Sequence, residues 1–202
     1  MKNKTLKNLL SITLLILIPM QFSSCKLLKE MSSFACCEFR LSSVDNIRLA
    51  GVNVQNIRNY NQLSASNVAS LMRAVSENRF PLELTLNLDA RNPNPSTATL
   101  NRLDWILLID DIEMTEGSTQ RTISIPPNGG TTTFPLGFSF DLKQVLSGRS
   151  ADALINFGLN LAGAGNKPTR FTLRAKPHII VNNIPFAYPG YLNIKTDFVS
   201  GS

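Results

Sequence analysis

"LELTLNLDARNPNP", residues 82–95, places Leu82, Leu84, Leu86 and Leu88 on one side of an extended chain and Glu83, Thr85, Asn87 and Asp89 on the other, then stops at a doubled Asn-Pro. Successive side chains of a strand point to opposite faces, so this period of two marks a sheet with one face in a core and one in water. Antiparallel pairing is favoured, because parallel sheets are covered on both faces and read as continuous apolar runs. The stop has a local cause. A residue before proline is pushed out of the helical region, proline brings no N–H to a ladder, and Asn side chains can bond the backbone as it turns. Asn92, Pro93, Asn94 and Pro95 therefore read as a structural corner.

Downstream, "LDWILLIDDIEM" (103–114) is apolar on both faces around Trp105, as expected of a more central strand, with acidic residues near a bend. "RTISIPPNGGTTTFPLGFSF" (121–140) gives a strand, a turn at Pro126 to Gly130, and a strand with Phe134, Leu136, Phe138 and Phe140 on one face. Upstream, "EFRLSSV" and "NIRLAGVNVQNI" alternate across a break at Ala50-Gly51 that suits a bulge. Near 64–78 a helix is expected, with Ser64 or Ser66 as N-cap and Val68, Leu71, Met72 and Val75 facing the sheet. A second helical block, 141–162, starts at a capping-box-like Asp141 and Gln144, is split at Ser147-Gly148, and ends at Gly163 to Gly165. "RFTLRAKPHIIV" and "YLNIKTDFVS" close the chain as strands. Seven or more strands with two helical insertions fit a mainly β, antiparallel sandwich of one domain over 38–199.

The N-terminus follows a different logic. Lys2, Lys4 and Lys7 precede the apolar run Leu9 to Ile18 and the small Ser23 and Ser24, which is the pattern of a secretory signal over 1–24. The run is about half the ~20 residues a spanning helix needs. "FSSC" resembles the lipobox of bacterial lipoproteins, with Phe22 where Leu is most usual, and implies a mature N-terminus at lipidated Cys25 followed by an arm over 25–37. A plain secreted protein cleaved nearby is the alternative. With Cys25 acylated, only the adjacent Cys36 and Cys37 remain, and neighbours whose side chains point apart make no ordinary disulfide. Removing the signal's three lysines leaves 17 basic against 14 acidic residues, no footprint for nucleic acid.

The alternating strand ending in "NPNP", then "LNRLDWILLIDDIEMTEG", then "ISIPPNGGTTTFPLGFSF", resembles the late-embryogenesis-abundant type 2 proteins, which share the water-stress and hypersensitive-response domain. The resemblance is close over Pro81 to Leu142 and looser through Phe198. It implies an immunoglobulin or fibronectin type III-like sandwich and a part in tolerance of desiccation or other stress. The insertion Lys143 to Lys167 and the extra N-terminal strands and helix depart from the family pattern.

Chemistry is sparse. His178 is the one histidine and sits in a strand beside Pro177, so neither a catalytic triad nor a zinc site is built around it. Asp110, Asp111, Glu113 and Glu116 lack the Asp-x-Asp-x-Asp-Gly ligand order of a calcium loop and read as a solvated hairpin turn. "GAGNKPT" lacks the spacing of a phosphate loop and reads as a helix exit. No catalytic, cofactor or metal site is assigned. The expectation is a non-enzymatic binding or protective lipoprotein of the bacterial envelope, held at the outer membrane facing the periplasm through the Cys25 lipid. Its partner would be an unknown envelope protein or lipid. A carrier of lipid or another apolar ligand, lined by "INFGLNLAGAG", and an assembly component of an envelope complex are the alternatives.

Overall fold

The alternating strand that ends at the doubled Asn-Pro is the hub of one of two antiparallel sheets. In the computed structural model, which describes residues 36–57, 59–163, 169–181 and 184–198, this strand, β3 (Pro81–Asn92), pairs along one edge with β1 (Glu38–Leu49) and along the other with β6 (Gly130–Asp141). The two-residue β2 (Val52–Asn53) extends β1 and completes the order β2-β1-β3-β6. The second sheet has the order β5-β4-β7-β8, from β4 (Ala98–Ile109), β5 (Ile112–Ile125), β7 (Thr169–Val181) and β8 (Ile184–Ala187). A ninth strand, β9 (Leu192–Phe198), shares the outer edge of β7 with β8.

Alternation decides which residues enter the core. Leu82, Leu84, Leu86 and Leu88 are buried and stand opposite Phe140, Phe138, Leu136 and Phe134. From the second sheet come Leu103, Leu107, Ile109, Phe171, Leu173 and Ala175, and all belong to one hydrophobic cluster. Trp105 joins the two contributions, its ring edge-on to Phe138 at a centroid distance of 4.6 Å. It also lies over Gly117 on β5, where a Cβ would come within 2.7 Å of the indole.

Helices gather at the end of the first sheet where β1 and β6 finish and β3 begins. Helix α1 (Ala65–Ser76) is N-capped by Ser64, which accepts from Asn67 N. Asp141 ends β6 and caps α2 (Leu142–Val145), accepting from Lys143 N and from Phe80 N. After the break at Gly148, α3 (Ala151–Leu161) begins at Ser150 and buries Leu154, Ile155, Leu159 and Leu161. Its Gly158 packs on Leu49, whose methyls would sit 2.6 and 2.7 Å from a Cβ. The second helical region therefore lies directly on the core.

Two expectations change. Val68 and Met72 do not face the sheet: they are 45% and 56% exposed, while α1 buries Leu71 and Ala74 and leaves Val75 partly buried against the core. The helix touches the domain along a narrower strip than its apolar residues mark. Ala50-Gly51 is not a bulge but a two-residue hairpin turn, with Leu49 opposite Val52 and both turn residues at positive φ, 47° and 79°. The irregularities of β1 fall earlier, between Leu41 and Ser43 and between Asp45 and Arg48.

Candidate functional site

The Asn92–Pro95 corner lies where β3 leaves the first sheet for β4. Asn92 is fully buried, and each of its side-chain atoms has work. Its Nδ2 donates to Ser96 O (2.8 Å) and to Ile125 O (3.1 Å), while its Oδ1 accepts from Asn94 N (3.1 Å), Asn94 Nδ2 (2.8 Å) and the Cys37 thiol (3.8 Å). Backbone bonds from Gly129 N to Asn92 O and from Asn128 N to Asn94 O hold the β5–β6 turn against the corner. One asparagine thus ties the first sheet to the last residue of β5 in the second. Burial, with Cys36 beside it, pushes the Cys37 thiol up to about 11, so it stays protonated at neutral pH, whereas Cys36 is exposed.

From the corner outward, the wet face of the first sheet is a polar array in cross-strand register. Glu38 pairs with Arg91 (2.9 Å), and Asn87 donates to Ser43 and Asp45. Arg40 donates both Nε and Nη2 to Asp89 Oδ2 (2.9 and 2.8 Å), and Thr133 donates to Asp89 Oδ1 (2.6 Å). The Thr133 hydroxyl leads in holding the Asp89 carboxyl below its ordinary value, against the opposing effect of burial and with help from Arg40 and Ser42. Two grooves cross this face. One, of about 360 Å³, is lined by Glu38, Phe39, Arg40, Asp89, Arg91 and Thr131. The other, of about 410 Å³, runs past Asn46, Arg48, Glu83, Thr85 and Ser139 over Gly137, above which a Cβ would meet nothing within 4 Å. Side chains already locked by their neighbours lose little freedom on contact, so such a face suits polar, hydrated ligands or partner surfaces.

His178 sits across from Arg102 on the outer face of the second sheet, its Nε2 2.6 Å from Asp104 Oδ2, and Arg102 Nε reaches Asp104 Oδ1 at 2.7 Å. Burial alone would raise the Asp104 carboxyl, but hydrogen bonds from Arg102 and His178 hold it below the ordinary value. Asp110 and Asp111 form the β4–β5 turn at positive φ, 50° and 64°, and are turned toward β7: Asp110 Oδ1 accepts from Arg170 N (3.0 Å) and Asp111 pairs with the Arg170 guanidinium (3.0 Å). Among the described residues no group of three or more His, Cys, Asp or Glu side chains is placed to hold a metal ion, and no helix is long and apolar enough to cross a membrane. Cys25, the rest of the arm before Cys36, and residues 164–168 of "GAGNKPT" lie outside the described residues.

Asn92 is named by the doubled Asn-Pro, but its burial and its bond to Ile125 of the other sheet carry no sequence signal, and neither does the groove over Gly137. Only the pairing of strands reveals them.

Residues 87–187, half of the chain, match a sequence family described as "Late embryogenesis abundant protein". The match begins within β3 and ends with β8, so it spans both sheets. No curated protein matches the chain. Among solved structures, a protein from Archaeoglobus fulgidus aligns at TM-score 0.34 and 9% identity over 79% of this chain and 99% of its own. A solution structure from Arabidopsis thaliana aligns at 0.40 and 9% over 80% and 76%, and one described as a late embryogenesis abundant protein at 0.35 and 11% over 94% and 88%.

Proposed function

Because the chain belongs to the late embryogenesis abundant family of the LEA_2 type, we propose that it is a non-enzymatic binding and protective module of the bacterial cell envelope, tethered by a lipid on Cys25 and acting in tolerance of drying or related stress. One domain over 38–199, behind an arm over 25–37, carries the activity. We read its two sheets as an immunoglobulin or fibronectin type III-like sandwich. Supporting that reading, β3 leads to β4 and β5 leads to β6 from one sheet into the other, and both sheets feed one core.

The observation that carries the binding reading is the outer face of the first sheet, where Glu38–Arg91 and Arg40–Asp89–Thr133 are held in register beside two open grooves. Such a surface can replace water around a membrane headgroup or a partner protein as hydration falls. The carrier alternative needs space beneath the second helical region, and the packing of Gly158 on Leu49 weighs against it.

The test is a deletion strain dried and rehydrated, complemented with the full chain, with Cys25→Ser, or with Gly137→Gln, whose side chain fills the groove without entering the core. Restoration by the full chain, and poorer survival with either variant, is the expected outcome. Unchanged survival on deletion would remove the protective role.

A further inference from the structure

The outer face of the second sheet is built on different lines. Alternation along β4 puts Leu103, Leu107 and Ile109 into the core and turns Asp104, Ile106 and Leu108 outward. Ile106 and Leu108 are half-buried and belong to no part of the core cluster, although β4 lies in the interior of its sheet between β5 and β7. Apolar residues on both faces of an interior strand call for cover on both faces.

The charges flanking this apolar pair are sorted by strand. On the β5 side, Glu113 stands opposite Leu108 and Glu116 opposite Ile106. On the β7 side, Thr172 stands opposite Leu108 and Arg174 opposite Ile106, and Lys195 of β9 continues the row beyond Thr172. Each row therefore runs from acid through an apolar residue to base. The Arg174 guanidinium is fixed 5.0 Å over the Tyr191 ring, which is itself 40% exposed. The Thr172 hydroxyl is buried and has no hydrogen-bond partner among the described residues.

We propose that this face is an isologous interface with a second copy of the chain. A two-fold axis lying in the interface along β4 leaves β4 on itself and exchanges the flanking strands, each ~4.8 Å away. Ile106 and Leu108 then meet their own counterparts, and Glu116 of each copy meets Arg174 of the other. The perpendicular in-plane axis would set acid over acid and base over base, so charge selects one geometry. Asp104, which also faces its counterpart, is already compensated by Arg102 and His178.

Thiol-to-thiol cross-linking of the full chain in its own membranes with a short bismaleimide tests the proposal, since facing sheets stand ~10 Å apart, beyond the reach of a disulfide. Ile106→Cys should give a cross-linked homodimer well above the background set by Glu83→Cys on the outer face of the other sheet. Adding Arg174→Glu to Ile106→Cys should lower the yield about ten-fold, and adding Glu116→Arg as well should restore it, because the reversed pair is again complementary. Trapping no greater than for Glu83→Cys, failure of the double reversal to restore what the single one removed, or a cross-link to a different protein would overturn it.

Discussion

The two outward faces of this molecule use the same alternation for opposite ends. On the first sheet three rows close on themselves: Glu38 with Arg91, Arg40 with Asp89 and Thr133, Asn87 with Ser43 and Asp45. On the second sheet the rows around Ile106 and Leu108 stay open, acid on β5 and base on β7 and β9 with apolar side chains between. A closed face is stable alone and offers a preorganised polar surface, while an open one gains by meeting its complement. The two faces share one core, so their difference lies in surface chemistry and leaves the fold unaffected.

The comparison depends first on the tie between the sheets. Asn92→Ala should destabilise the domain by about 3 kcal/mol, because Ser96 O, Ile125 O and the amides of Asn94 lose their partner at a buried site. Chemical denaturation would measure it, and a loss below ~1 kcal/mol would mean that water replaces the side chain. Next comes the closed face. Asp89→Ala should cost about 1–2 kcal/mol, a figure held down because Arg40 is largely exposed and the ion pair is screened.

The same carboxylate sets a pH dependence. Its folded value lies below its unfolded value, so its contribution is fully present above the unfolded pKa of about 3.9 and fades as pH falls through the lower folded value. Asp104 acts in the same direction. Denaturant midpoints should therefore hold from pH 7 to about 5 and drop below pH 4, and Asp89→Asn should flatten that drop. The smallest effect belongs to the open face, where Glu116→Gln, at an exposed position with no ion pair among the described residues, should change the stability of the monomer by less than ~0.5 kcal/mol. A larger loss would mean that this face is closed within one chain after all.

Much of this was legible in residue order. The alternation of 82–88 identified the inward leucines, and the doubled Asn-Pro marked the point where β3 leaves its sheet, because both depend on backbone chemistry within a few residues. Val68 and Met72 were misplaced because period fixes an apolar stripe but not how wide a strip the domain covers. The Ala50-Gly51 hairpin was missed because Ala seldom takes positive φ, a cost met only where the pairing of Leu49 with Val52 requires it. Neither open nor closed rows can be read from one strand, since each is a property of three strands brought together by topology.

The central claim is a LEA_2 domain tethered at a membrane, and intact-mass spectrometry of the protein extracted gently from its own bacterial membranes tests it most directly. A tethered domain requires a chain that begins at Cys25 and carries the added mass of a diacylglyceryl group. An unmodified N-terminus, at Cys25 or elsewhere, would contradict the tether and with it the envelope localisation.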